Sequence, residues 1–73
     1  MDAAEYRKAR RKFFEDLRDS HDRSIKYWMH FWRKSNSVEE MQEIEERMRD
    51  YGEASQYCQD AIKALKMMEE AED

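Results

Sequence analysis

The chain has 73 residues with a formal net charge of −4, 44% charged residues, no proline, one glycine and one cysteine. This excludes a strand-rich fold, which needs turn residues, and an internal disulfide framework. A chain this short buries only ~60% of the surface its unfolded form exposes, so added stability is expected from self-association.

β-branched residues are nearly absent: Ile25, Val38, Ile44 and Ile62 make up the set. Ala, Glu, Arg, Lys, Met and Gln dominate, all good helix formers. Disorder is the competing reading at a mean hydropathy of −1.29. Nine aromatics and regular apolar spacing argue against it. The expected fold is all-α and a single domain over 1–73: an antiparallel hairpin of two long helices, 3–34 and 38–71, reversing at 35–37 and pairing with a second hairpin as a homodimeric four-helix bundle.

Met1-Asp2-Ala3-Ala4-Glu5 lacks an apolar signal core. No apolar run approaches the ~18 to 20 residues of a membrane span, so a reduced, cytoplasmic compartment is expected. The cations Arg7, Lys8, Arg10, Arg11 and Lys12 follow. Clustered cations displace counterions from phosphates, which makes this segment the candidate nucleic-acid contact. Against that stand an acidic chain and an acidic C-terminal segment that the hairpin brings opposite, so nucleic acid is not the expected partner.

In the first helix apolar residues recur at eleven: Tyr6, Leu17 and Trp28, then Ala3, Phe14 and Ile25, then Ala9, Ser20 and Phe31. That period keeps a stripe on one side of a nearly straight helix. The stripe turns polar at Arg18-Asp19-Ser20-His21-Asp22, where Ser20 could cap a new helix. A three-helix bundle broken near residues 19–21 is therefore the alternative architecture. His21, near this polar part of the stripe, is expected to answer a buried hydroxyl or carboxylate.

Ile25-Lys26-Tyr27-Trp28-Met29-His30-Phe31-Trp32 is apolar around more than half its circumference, more than one neighbouring helix covers. Tyr27, Trp28, Met29, Phe31 and Trp32, faced across the turn by Met41, Ile44 and Met48, form the candidate surface for a second copy or a protein partner. Aromatic and Met side chains are enriched at such surfaces.

Ser35-Asn36-Ser37 breaks the run of helix formers. Ser37-Val38-Glu39-Glu40 reads as a capping box, with Ser37 capping the Glu40 amide and Glu40 reaching back. The second helix then carries a heptad, Met41, Met48, Ser55, Ile62 and Ile44, Tyr51, Cys58, Leu65, in phase through Gly52. One continuous coiled-coil helix is expected, weakened locally by ~1 kcal/mol. Residues 1–36 hold ten Lys/Arg and six Asp/Glu; residues 37–73 hold four and twelve. An antiparallel hairpin places the basic start beside Glu69, Glu70, Glu72 and Asp73.

Cys58 on the seam reads as a small buried apolar residue, with an intermolecular disulfide as the alternative. His21 and His30 point about 180° apart on a helix, and no Glu-x-x-His occurs, so neither metal nor cofactor is expected. Carboxylates are many, but a two-helix layer offers no dry cleft to tune them, so catalysis is not expected. The acidic run Glu39, Glu40, Glu43, Glu45, Glu46, Asp50 and Glu53 gives helix 2 a composition similar to that of small acidic phage inhibitors that mimic nucleic acid, without a shared motif. A solvated helix face accounts for the same residues. The functional expectation is a small non-catalytic protein-binding module acting as regulator, adaptor or inhibitor.

Overall fold

The computed structural model describes residues 2–72, and the backbone alone at Glu72. It consists of α1 (Ala3–Lys34) and α2 (Val38–Glu72). They are packed antiparallel into a rod with extents of 54 × 15 × 14 Å. Their lengths, 32 and 35 residues, match within one turn.

Local chemistry sets each helix end. The Asp2 carboxylate accepts from the Glu5 amide at 2.8 Å, with Asp2 itself extended, which starts α1. Arg33 and Lys34 suit the negative end of its dipole. Ser35 leaves the helix at φ −73°, ψ 140°, its amide still donating to the Trp32 carbonyl at 3.3 Å. The Ser37 hydroxyl then accepts from the Glu40 amide at 3.3 Å and starts α2. The reciprocal half of the expected capping box differs. Ser35 Oγ, not the Glu40 carboxylate, accepts from the Ser37 amide at 3.2 Å, and it donates to the Ser37 carbonyl at 3.3 Å. The two serines thus satisfy the reversal within three residues.

Neither helix breaks. α1 runs unbroken through 19–21, so the three-helix alternative is not adopted: Ser24 Oγ donates to the Ser20 carbonyl at 3.2 Å, a bond made inside a helix rather than at a cap. α2 passes through Gly52 with no positive φ, and nothing lies within 4 Å of where a Cβ would stand there.

The core is thin. Ile44, Cys58 and Ile62 are its buried apolar residues, with Ser55 beside them, and α1 has no buried residue. The α2 heptad is the seam, as its spacing predicts. The α1 seam differs from the eleven-residue expectation. Its half-buried positions Arg7, Phe14, His21, Trp28 and Arg11, Arg18, Ile25, Trp32 also step by seven, whereas Tyr6, Ala9, Ser20 and Phe31 are exposed. Three of the seam positions are arginines, whose aliphatic stems cover apolar neighbours while the guanidinium stays wet. A reading by residue type passes over them.

The register is uniform. Advancing along α1 from Arg18 to Asp22 to Trp32 retreats equally along α2, from Gln59 to Ser55 to Glu45.

Candidate interaction surface

The residues expected to form one apolar surface divide between two environments. Ile44 is buried in the seam at 4% exposure and offers nothing to a partner, which corrects its place in the surface. Trp28, Trp32, Met41 and Met48 are half-buried between the helices; Tyr27, Met29 and Phe31 are exposed. Seven-residue stepping explains the division, since Trp28 and Trp32 fall on the seam of α1 and Tyr27 and Phe31 on its flank. Trp32 is further tied down, its indole N–H donating to Glu45 Oε1 at 3.2 Å. Phe31 meets exposed Tyr27 edge-on at 5.0 Å and half-buried Trp28 at a tilt at 6.0 Å, both between ring centroids. Arg47 crosses from α2 to lie 5.0 Å from the Trp28 ring centroid, a cation over a π face. Met29 is on the other side of α1, its sulfur accepting from Arg33 at 3.6 Å.

The two flanks of the hairpin have opposite chemistry. One is closed by polar links between the helices: Arg11 to Glu69 at 3.1 Å, Arg18 to Gln59 at 3.4 Å and Trp32 to Glu45. A shallow groove open to solvent lies along it, with Ile62 among Arg18, Lys63 and Lys66. The other flank carries Arg10 stacked over Phe13 and Phe14, at 4.6 and 5.0 Å, and Tyr57 edge-on to Phe14 at 6.1 Å.

The basic segment is engaged within the chain. Arg11 pairs with Glu69 and with Glu15 at 3.3 Å, and Lys12 with Asp16 at 3.0 Å. The hydrogen bond and charge of Glu69 raise the Arg11 guanidinium above its ordinary pKa, and Asp16 does the same for the Lys12 amine. Glu69 is also on the turn where the α2 dipole is negative and no basic residue of α2 stands, so Arg11 supplies the missing cation. Arg7 is half-buried and Lys8 exposed. Asp73 and the Glu72 side chain, also expected opposite this segment, lie outside the described residues.

Mid-rod, a feature missed by sequence reasoning holds the seam. Ser55 Oγ donates to Asp22 Oδ1 at 2.7 Å, so the partly buried hydroxyl is answered by Asp22 rather than by His21. His21 rests beside the Tyr51 ring at 5.9 Å. Cys58 is a free thiol at 1% exposure, a core position rather than a cross-linking one. Among the described residues, no group of His, Cys, Asp and Glu is arranged to hold a metal, and no helix is long and apolar enough to cross a membrane.

No known protein family, curated protein or solved structure matches the chain.

Proposed function

We propose that this chain is a non-catalytic helical protein-association module, a regulator, adaptor or inhibitor, that acts by self-assembly and contact with protein surfaces through its aromatic face. The observation carrying this reading is the pairing of a core of three buried apolar side chains with exposed Tyr27, Phe31, Phe13 and Tyr57. Aromatic surface of this extent on a small rod is characteristic of interfaces, where it is covered by another chain.

Two other readings rest on charge: phosphate contact by Arg7, Lys8, Arg10, Arg11 and Lys12, and nucleic-acid mimicry by the acidic face of α2. The engagement of Arg11 and Lys12 by carboxylates of their own chain, and of Arg10 by aromatic rings, favours protein association over the first. Salt dependence distinguishes the classes, because phosphate binding weakens steeply with salt and apolar docking does not.

Sedimentation equilibrium of the intact chain from low to high micromolar tests the reading. A reversible oligomer whose affinity barely changes with salt is expected. A monomer throughout, or a complex with duplex oligonucleotide of micromolar affinity that Arg10→Glu/Arg11→Glu abolishes, overturns it.

A further inference from the structure

The uncovered apolar surface is not confined to the turn end. Of the nine large apolar side chains exposed among the described residues, six lie on the flank opposite the polar links: Tyr6, Phe13, Tyr27, Phe31, Tyr57 and Met68, at 40 to 67% exposure. Tyr6, Phe13, Ser20 and Tyr27 are successive heptad steps on α1, and Arg10, Leu17, Ser24 and Phe31 form the adjacent row. Seven-residue steps drift by only ~20°, so both rows run lengthwise along the rod. The contacts of Tyr57 with Phe14 and of Arg47 with Trp28 place the α2 contribution, including Met68 three heptads after Arg47, on this same side.

The α1 row has a symmetry of its own. Phe13 and Tyr27 stand seven residues either side of Ser20. Ser24, in the adjacent row one turn on, has its hydroxyl bonded back to the Ser20 carbonyl, so it asks nothing polar of a neighbour. Large rings at both ends and small residues at the centre read alike in both directions. A second copy of the same row, laid antiparallel, matches that pattern from Phe13 through Ser20 to Tyr27, with Tyr6 opposite the partner's Lys34 beyond it. Small side chains meet at the crossing, where backbones must approach, and each Phe13 meets the partner's Tyr27.

The area agrees. The chain exposes 5843 Å². A compact monomer of 9.0 kDa is expected to expose ~4,850 Å². The surplus of about 1,000 Å² per chain is close to the ~800 Å² that a standard interface removes from each partner.

We infer that a second copy of this chain covers the aromatic flank along its full length, with α1 antiparallel to α1 about a two-fold axis at Ser20, giving a four-helix bundle. The self-complementary row is what a two-fold interface requires, because the same patch serves on both subunits. The inference rests on the association reading above and specifies its geometry. It leaves the polar links on the outside of the pair, while Glu43 and Asp50, two heptads and one heptad before Tyr57, share the row that Tyr57 brings to this flank.

Cysteine cross-linking of the full chain tests it, in a Cys58→Ala background. Ser20→Cys should give a covalent dimer on mild oxidation, since the two copies cross there; Met29→Cys, about 180° around α1 from Ser20, should not. In sedimentation equilibrium, Phe13→Glu and Tyr27→Glu should each raise the dissociation constant roughly tenfold or more. Met67→Glu, equally exposed but off this flank, should leave it unchanged. The cross-link remains decisive if a glutamate variant loses helicity by circular dichroism. An oligomer disrupted by Tyr27→Glu but not Phe13→Glu, with no cross-link through Ser20→Cys, overturns the geometry while the association reading stands. A chain monomeric throughout overturns both. A monomer that docks this flank only on a different protein overturns the second copy as its occupant.

Discussion

At Gly52 the α2 backbone is helical and open space surrounds the position of a Cβ. Glycine costs a helix interior ~1 kcal/mol relative to alanine, and no steric cost opposes the change here. Gly52→Ala should therefore stabilise the protein by about 1 kcal/mol, read as a rise in denaturation midpoint at unchanged slope in urea. Asp22 and Ser55 behave in the opposite sense. Asp22→Ala leaves the buried Ser55 hydroxyl without its acceptor and should cost ~1 to 3 kcal/mol, whereas replacing both partners by alanine should cost less than the sum of the single changes. A double-mutant cycle by chemical denaturation measures that difference; additivity within error would show that the 2.7 Å bond is energetically idle.

Among the elements, the two helices differ in how they hold their place. α2 has the buried side chains and α1 has none, so α1 is a lid on the α2 seam. Ile62→Ala should cost ~2 to 5 kcal/mol through its lost burial and the cavity left behind. Ser37→Ala removes the α2 cap and should cost ~0.5 to 2 kcal/mol; Ser37→Asp should retain most of the stability, measured by thermal unfolding. This asymmetry also decides what the sequence makes legible. The α2 heptad consists of apolar or small residues at every seam position, so helix, register and bounds follow directly from it. Ser35-Asn36-Ser37 marks the turn because no other stretch lacks helix formers. The α1 seam is obscured by Arg7, Arg11 and Arg18, which count as polar by type yet pack by their stems. The eleven-residue pattern instead joins seam residues such as Phe14 and Ile25 to flank residues such as Phe31. The surface residues follow the same logic: Ile44 belongs to the legible heptad and is core, while Phe13 and Tyr57 become part of a surface only once the seam of α1 is known.

For the whole molecule, a rod 54 Å long has a single thin seam, so the second copy proposed to cover its aromatic flank would add to its stability. A ligand that binds only the folded form stabilises it in proportion to its concentration, and a second copy is such a ligand. The melting temperature should rise with protein concentration, and the dependence should vanish in Phe13→Glu/Tyr27→Glu. Differential scanning calorimetry over a hundredfold concentration range checks this; a constant melting temperature would show that the isolated hairpin is stable by itself. Added salt should shift the melting temperature little. The Lys12–Asp16 link is solvent-facing and Arg11–Glu69 only half-buried, and pairs open to water contribute little even unscreened.

The three-residue reversal also has a kinetic consequence. Contacts between the helices span ever longer stretches of chain with distance from the turn: 13 residues for Trp32 to Glu45, 33 for Asp22 to Ser55 and 58 for Arg11 to Glu69. Forming the outermost contact directly from the unfolded chain costs about 1.3 kcal/mol more in loop closure than forming the innermost one. Once the innermost layer is made, each further layer closes only a few more residues. Folding should therefore run as a zipper from Ser37 outward, with the layers at Arg11 and Glu69 the last to close and the first to fray. Below the dissociation constant of the pair, Ser37→Ala and Ile44→Val should slow folding, and Ile62→Val should chiefly speed unfolding. Stopped-flow chevrons of the three variants separate the two arms, and a folding rate set by Ile62 would place the nucleus at the open end of the rod.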